Sequence, residues 1–272
     1  MLFRSMVMLF SGAFGWLYSF TGTFTQDLIW HTLLFFGIYG LAMDILNTPF
    51  SLYAVFVIEE KYGFNRTSIK TYILDKLKGY LLGGLIGGCL LSMFVLFYQV
   101  AASNFWWIAW LSISGFTLLL SMFYASVILP LFNKLTPLPE GELRTALVDY
   151  CKKVNFPVSD LFVMDGSKRS AKANAFFSGL GPKKKIVLFD TLIEKHSVDE
   201  LVAVMAHEVG HYKRKHTYNM TIFSILQTGV MMFLLGQFIN NPALSLALGA
   251  PTAVLALGMI GFFMLYSPVS IL

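Results

Sequence analysis

The sequence predicts a mainly α-helical, polytopic membrane protein with a small α/β insert, and composition is the first observation that predicts it. Of the 272 residues, 56% are hydrophobic and only 13% are charged, whereas soluble domains have roughly 45–50% and about 25%. A soluble core cannot enclose that much apolar surface, so much of the chain is expected to face lipid. The same values exclude a disordered chain, a collagen-like fibre and a small disulfide scaffold.

The second observation is a series of six apolar segments, each near the length that crosses about 30 Å of hydrocarbon as a helix. They are residues 6–20, 28–57, 80–100, 105–132, 220–239 and 244–266. The first segment is short enough for a signal peptide, but no small-residue cleavage site follows before Asp27, which favours a membrane helix. This pattern predicts four transmembrane helices in residues 1–132, with a loop at 58–79, and a transmembrane hairpin in residues 220–272.

The third observation is the placement of charge. The chain carries 20 Lys and Arg against 15 Asp and Glu, a net charge of +5. If each segment crosses once, all 20 basic residues lie on one side, and the linkers at 21–27, 101–104 and 240–243 have none. The positive-inside rule makes that side cytoplasmic. Topology thus explains the basic excess, and no nucleic-acid partner is predicted.

Residues 133–219 alone have the composition of a soluble domain, and we expect this domain on the cytoplasmic side. A helical apolar rhythm covers residues 141–154. Three short β-type runs are expected to be strands, namely residues 161–164, 173–177 and 186–189. A turn is expected where glycine and proline cluster, at Gly179, Gly181 and Pro182. The segment therefore predicts a small α/β fold between the membrane helices.

The final helix of this domain holds the pattern H-E-x-x-H. Ser197 and Glu200 form a capping-box pattern that begins the helix, and His207, Glu208 and His211 follow within it. Residues four apart on a helix lie about 5–6 Å from each other on one face, so both imidazoles can bind one Zn²⁺ at about 2.0–2.1 Å. Glu208 can then reach a metal-bound water as a general base. The pattern predicts a zinc-dependent hydrolase, and the alternative is a pair of solvated histidines on an amphipathic helix.

A zinc site of this class needs a third protein ligand. His216 is the nearest candidate, but on a continuing helix it lies roughly 140° around from His211. We therefore expect His216 to point elsewhere. No Asp or Glu follows Glu208 in the sequence, so no third carboxylate ligand is expected downstream of the motif within these residues.

Several segments besides this motif resemble the CAAX prenyl protease 1 (Ste24-type) branch of the M48 zinc metallopeptidases. Residues 58–67, IEEKYGFNRT, are similar to a loop that follows a membrane helix in that family. Residues 165–170, DGSKRS, lead to Asn174 and Ala175 as in a second family segment, and residues 186–192, IVLFDTL, are similar to a family strand. The likeness runs from about Pro49 to Leu272, with the motifs in the family's order.

The resemblance implies a membrane-embedded zinc metalloendopeptidase with Zn²⁺ as cofactor. His207 and His211 would be metal ligands and Glu208 the general base. Asn174 and Ala175 would lie on an edge strand beside the cleft, where an extended substrate pairs by β-augmentation. Peptide or protein substrates are implied, prenylated ones among them, within a lipid bilayer: the inner membrane of a bacterium or the endoplasmic reticulum of a eukaryote. The resemblance implies no particular oligomeric state.

Two departures from the family pattern leave alternatives open. The family's third zinc ligand is a Glu in an E-x-x-x-D pattern beyond the final helices, and these 272 residues do not contain that pattern after Glu208. In the family, another membrane helix also usually precedes the region where this sequence starts. We therefore expect the central part of a longer protease. A catalytically inactive scaffold or substrate-binding relative is the alternative. A transporter would place ionisable groups within its spans, for which Asp44 and His31 are the candidates, with His31 expected near the interface.

Overall fold

The computed structural model describes residues 7–178 and 184–268. The chain divides into two compact units. Unit 1 comprises Met1–Thr48, Leu82–Ser114 and Ile225–Leu272, and unit 2 comprises Pro49–Leu81 and Gly115–Ser224. The turn predicted around Gly179, Gly181 and Pro182 lies outside the described residues, as does Met6 at the start of the first predicted span.

Long helices dominate the described part of the chain. In order, the helices are α1 (Ala13–Gly22), α2 (Leu28–Tyr53), α3 (Ile69–Ala101), α4 (Phe105–Phe123), α5 (Leu129–Phe132), α6 (Glu142–Lys153), α7 (Asp190–Lys195), α8 (Val198–Lys213), α9 (His216–Phe238), α10 (Pro242–Ala247) and α11 (Leu255–Tyr266). The strands are β1 (Leu135–Pro137), β2 (Val158–Met164), β3 (Ala175–Ser178) and β4 (Lys184–Phe189). A π-helical segment, Ala54–Glu59, extends α2, and a second, Tyr124–Ile128, joins α4 to α5.

Within the described residues, four helical segments are long and apolar enough to cross a membrane: Leu28–Glu59, Ile69–Ala101, Phe105–Phe132 and His216–Phe238. They coincide with the second to fifth apolar segments of the sequence. The agreement is expected, because without water a backbone satisfies its own polar groups most simply as a helix. The predicted helical membrane fold is confirmed.

The last apolar segment differs from the single helix expected over residues 244–266. The structure divides it into α10 and α11. Gly249 has a φ of 92° between them, and Pro251, which has no N–H, follows. Most of α11 is buried within unit 1, including Ala256, Leu257 and Phe262. An apolar run in the sequence therefore does not distinguish a lipid-facing helix from one enclosed by protein.

In unit 1, His31 connects α1 to α2 through a buried polar contact. Its Nε2 lies 3.0 Å from the Tyr18 carbonyl oxygen and 2.9 Å from Thr21 Oγ1, and its ring stacks on the Tyr18 ring. Only 6% of His31 is exposed. These contacts assign His31 a packing role, because a buried imidazole needs partners of this kind.

Unit 2 contains a four-stranded sheet in the order β1-β2-β4-β3. The central strands β2 and β4 are parallel, and both edge strands are antiparallel to their neighbours. Helices α6 and α8 supply Leu147, Leu201 and Met205 to the core that covers one face. The three strands expected from the sequence are confirmed. Strand β1 was not expected because it contains Pro137, which a sheet tolerates at an edge.

A close approach within unit 1 makes Gly15 sensitive to substitution. A Cβ atom at Gly15 would lie 2.6 Å from the carbonyl oxygen of Gly249, whereas one at Gly37 meets nothing within 4 Å. We expect Gly15→Ala to destabilise the protein by about 1–3 kcal/mol through overpacking against backbone. Gly37→Ala, also in a helix, should be neutral or stabilising by up to about 1 kcal/mol. Thermal unfolding in detergent at one scan rate checks both, and equal midpoints for the two variants would contradict the close approach.

Candidate metal centre and adjoining cleft

The helix with the H-E-x-x-H pattern, α8, begins at a complete capping box. Glu200 N–H donates to the Ser197 hydroxyl, and Ser197 N–H donates to Glu200 Oε2 at 2.9 Å. The hydrogen bond from Ser197 N–H, and then those from the His196 and Ser197 side chains, hold the pKa of the Glu200 carboxyl below its ordinary value. The predicted cap is confirmed. It fixes the start of α8 while Val209 is buried on its inner side.

On α8 the two motif histidines converge. His207 Nε2 and His211 Nε2 lie 3.1 Å apart. Two nitrogens bound tetrahedrally to one zinc ion at ordinary bond lengths are about 3.3 Å apart, so the pair fits a shared metal. Glu208 follows His207 directly and is partly buried. Among the described residues no cluster of three or more His, Cys, Asp or Glu is suited to hold a metal, so that part of the chain offers two imidazoles and an adjacent carboxylate.

His216 lies beside His211, a proximity that the 140° estimate did not predict. Helix α8 ends at Lys213, and Lys215 adopts a left-handed conformation with φ of 55°. Its N–H donates to the carbonyl of Tyr212 at 2.8 Å. The chain then starts α9 with His216, whose Nδ1 lies 2.8 Å from His211 Nδ1. The 140° estimate assumed a continuous helix, and the turn invalidates that assumption.

An open cleft adjoins the histidines. It is lined by Phe176, Phe177, Glu208, His211, His216, Thr217 and Met220. Sequence reasoning placed two of these residues at the site, together with His207. The aromatic pair comes from β3 and the last three from α9, so only the folded chain brings them to the motif. The sequence contains only a weak signal for the aromatic pair: Phe176 and Phe177 directly follow the segment that resembles the family.

Strand β3 is an edge strand that pairs with β4 on one side. Phe189 N–H donates to the Asn174 carbonyl at 3.0 Å. Backbone groups alternate in direction along an antiparallel pair, so those of Ala175 and Phe177 point away from β4. Asn174 Oδ1 accepts the Ala175 N–H at 2.9 Å. The structure thus places Ala175 on the edge strand and Asn174 directly before it, with Phe176 and Phe177 of the same strand lining the cleft.

The three segments that resemble the family are linked to one another in unit 2. Lys172 donates to Glu59 Oε1 at 2.6 Å, and the Thr67 hydroxyl donates to the Arg169 carbonyl at 2.9 Å. Main-chain bonds add to these, with Ala171 N–H donating to the Phe64 carbonyl. In the same way, Ser167 N–H donates to Asp190 Oδ1 at 2.8 Å. These bonds hold the chain just before β3, so the motifs position the edge strand.

Arg169 is the centre of this network. Its guanidinium donates to both carboxylate oxygens of Asp75, at 2.7 and 2.9 Å, to the Phe132 carbonyl at 2.6 Å and to Asn133 Oδ1 at 2.8 Å. Only 23% of the Arg169 side chain and 25% of the Asp75 side chain are exposed. The hydrogen bond to Asp75 and then its charge raise the pKa of Arg169 above its ordinary value. One side chain thereby joins α3, the end of α5 and the segment before β3.

Comparison with known proteins places this arrangement in a class of membrane proteases. Residues 137–269 match "Peptidase family M48", and residues 1–134 match "CAAX prenyl protease N-terminal, five membrane helices". The Schizosaccharomyces pombe protein "Probable CAAX prenyl protease 1" is 41% identical over 216 residues, which cover 79% of this chain and 46% of that protein. A human "CAAX prenyl protease 1 homolog" is 32% identical over 258 residues, covering 81% and 54%. The chain spans about half the length of these relatives.

A solved structure supports the same class. The crystal structure of S. mikatae Ste24p matches with a TM-score of 0.92 at 32% identity, covering 98% of this chain and 67% of that one. The chain therefore belongs to the M48 metallopeptidase family, in its CAAX prenyl protease 1 branch. The resemblance deduced from the sequence is confirmed. Membership implies a metal cofactor, and the apolar helices make the chain an integral membrane protein.

The Arg169–Asp75 pair leads to a stability prediction. Asp75→Asn and Arg169→Lys should each lower the free energy of unfolding by about 1–3 kcal/mol, because each breaks charge-assisted hydrogen bonds of a partly buried group. Lysine cannot reproduce the two-pronged contact of arginine. The measurement is thermal unfolding in detergent, with hydrogen exchange followed in residues 165–178.

The control is Lys152→Ala. Lys152 pairs with Asp149, but the two side chains are 74% and 65% exposed, and such surface pairs contribute about 0–1 kcal/mol. If Arg169→Lys matches the wild-type protein in both measurements, the network does not depend on the guanidinium geometry.

Proposed function

We propose that this chain supplies the catalytic centre of a membrane-embedded zinc endopeptidase. The observation that carries the proposal is the 3.1 Å separation of His207 Nε2 and His211 Nε2, with Glu208 in a cleft beside an open strand edge. The two imidazoles suit zinc, which binds histidine nitrogen in sites of this kind. Family membership favours the peptidase over the inactive scaffold.

His207 and His211 would hold the metal through Nε2. Zinc bound there would polarise the scissile carbonyl and activate a water molecule. Glu208 accepts the proton of the attacking water and returns it to the leaving amine, as a positioned general acid–base does. The carboxylate is suited to this role because it is next to a proposed ligand in the chain and lines the cleft.

The substrate would be an extended peptide paired with β3. Ala175 contributes its outward carbonyl, and Phe177 contributes its N–H and carbonyl. The Ala175 N–H is already bonded to Asn174 Oδ1, so Asn174 shapes the edge and limits where the peptide pairs. Main-chain hydrogen bonds of this kind provide affinity, and neighbouring pockets select side chains. Phe176 and Met220 line the cleft and favour apolar substrate side chains.

The names of the relatives suggest the substrate class. Proteins called CAAX prenyl protease 1 match this chain, so we propose peptide and membrane-protein substrates, including those with a prenylated C terminus. The proposed organisation has four transmembrane helices in residues 1–132, a catalytic domain at 133–219 and a transmembrane hairpin at 220–272. The concentration of Lys and Arg on one side supports a cytoplasmic catalytic domain.

The general base provides a direct test. We expect Glu208→Gln to lower peptide hydrolysis by at least about 100-fold, since an amide cannot accept the proton. Zinc content should be unchanged because Glu208 is not a ligand. The matched control is Glu194→Gln on α7, an exposed position, which should retain full activity. Hydrolysis by Glu208→Gln at the wild-type rate, with zinc bound, would refute the assigned role.

Pairing with the β3 edge makes a second prediction. Only alternate residues of a strand direct their backbone groups at a given neighbour. N-methylation of successive amides along a substrate peptide should therefore raise KM with a period of two. Each sensitive position should cost about 5–10-fold, the equivalent of one hydrogen bond. KM values that rise uniformly or not at all along the peptide would contradict β-augmentation.

A further inference from the structure

The turn after α8 creates a row of three imidazoles that the metal-binding motif does not explain. The His207 and His211 rings meet edge to face at 4.7 Å, and the His211 and His216 rings do so at 5.0 Å. His211 is in the middle and uses both ring nitrogens. Its Nε2 faces His207 Nε2, and its Nδ1 faces His216 Nδ1 at 2.8 Å.

The protonation of His211 follows from these contacts. Binding a metal requires a lone pair on Nε2, so the proton of the neutral ring must be on Nδ1. Nδ1–H then donates to His216 Nδ1, and His216 carries its own proton on Nε2. A metal-bound histidine usually donates its second N–H to an acceptor, which sets the tautomer and the ring orientation. That acceptor is commonly a carboxylate, a backbone carbonyl or water, and here it would be Nδ1 of His216.

The same geometry excludes His216 as the third metal ligand, because His216 lies on the Nδ1 side of the His211 ring. The two nitrogens of an imidazole point in nearly opposite directions. A group bonded to Nδ1 of His211 therefore lies behind the ring and away from a metal at Nε2. His216 is held there by its place as the first residue of α9, since Asn219 N–H donates to the Lys215 carbonyl at 2.9 Å and stabilises the first turn.

We propose that His216 is a positioning residue that accepts the Nδ1–H of His211 and thereby holds His211 in its metal-binding tautomer and orientation. The inference rests on the proposed metal site but adds a residue outside the motif. Removing such an outer partner typically weakens metal affinity by about 10–100-fold. The role requires only a hydrogen-bond acceptor at the position of Nδ1.

The test uses two substitutions in the full-length, detergent-purified protein. His216→Phe keeps a planar ring and removes the acceptor, so zinc affinity measured by chelator competition should fall by about 10–100-fold. His216→Asn places an amide oxygen close to the position of Nδ1 and should restore the affinity to within about threefold of wild type. With Co²⁺ in place of Zn²⁺, the visible absorption band should shift for His216→Phe and resemble wild type for His216→Asn.

The matched control is His196→Phe. His196 is partly exposed and contacts Glu200 at the start of α8, outside the cleft, so this variant should bind zinc as the wild type does. If His216→Phe and His216→Asn weaken zinc equally, His216 has only a structural role and the proposal is wrong. If both His216 variants bind zinc as tightly as wild type while His207→Phe does not, the proposed role of His216 is wrong and the proposed metal site remains. A wild-type protein that binds no zinc would overturn the proposed function as well.

Discussion

The need of every backbone N–H and C=O for a partner is the constraint on which the rest of this structure depends. Where the chain is apolar, α2, α3, α4 and α9 meet it by closing their own hydrogen bonds, as lipid requires. In unit 2 the strands meet it by pairing. Among the described strands, β3 has a neighbouring strand on one side only, and its residues Phe176 and Phe177 line the cleft. The proposed site for an extended peptide would use this edge of the sheet, which is a general route to peptide recognition.

The candidate metal centre combines local and non-local geometry. The spacing of His207 and His211 brings their Nε2 atoms within 3.1 Å through helix geometry alone, and the capping box at Ser197 defines where that helix begins. The chain then reverses at Lys215, a residue in a left-handed conformation that is unfavourable for side chains other than glycine and a few others. That turn places His216 behind His211. The proposed metal ligand and the group proposed to orient it are thus separated by five residues and one change of helix.

The segments that resemble the family have a structural role at the edge of the candidate site. Arg169 and Lys172 contact Asp75 and Glu59, residues about a hundred positions earlier in the chain. These bonds fix the loop that enters β3. Sequence motifs around a catalytic centre need not be catalytic themselves. Here they hold the chain directly before the edge strand β3.

The sequence by itself determined the features that depend on neighbours a few residues apart. Apolar segments near 20 residues predicted the long helices, short β-type runs predicted three strands, and the i, i+4 spacing predicted the histidine pair. Tertiary structure decided what depends on distant or irregular backbone. It divided the last apolar segment at Gly249, added β1 through pairing with β2, joined Arg169 to Asp75 across 94 residues and brought His216 back to His211. Periodicity contains no information on these contacts, because no local repeat encodes a turn that changes the direction of the chain or a contact with a residue far away in the sequence.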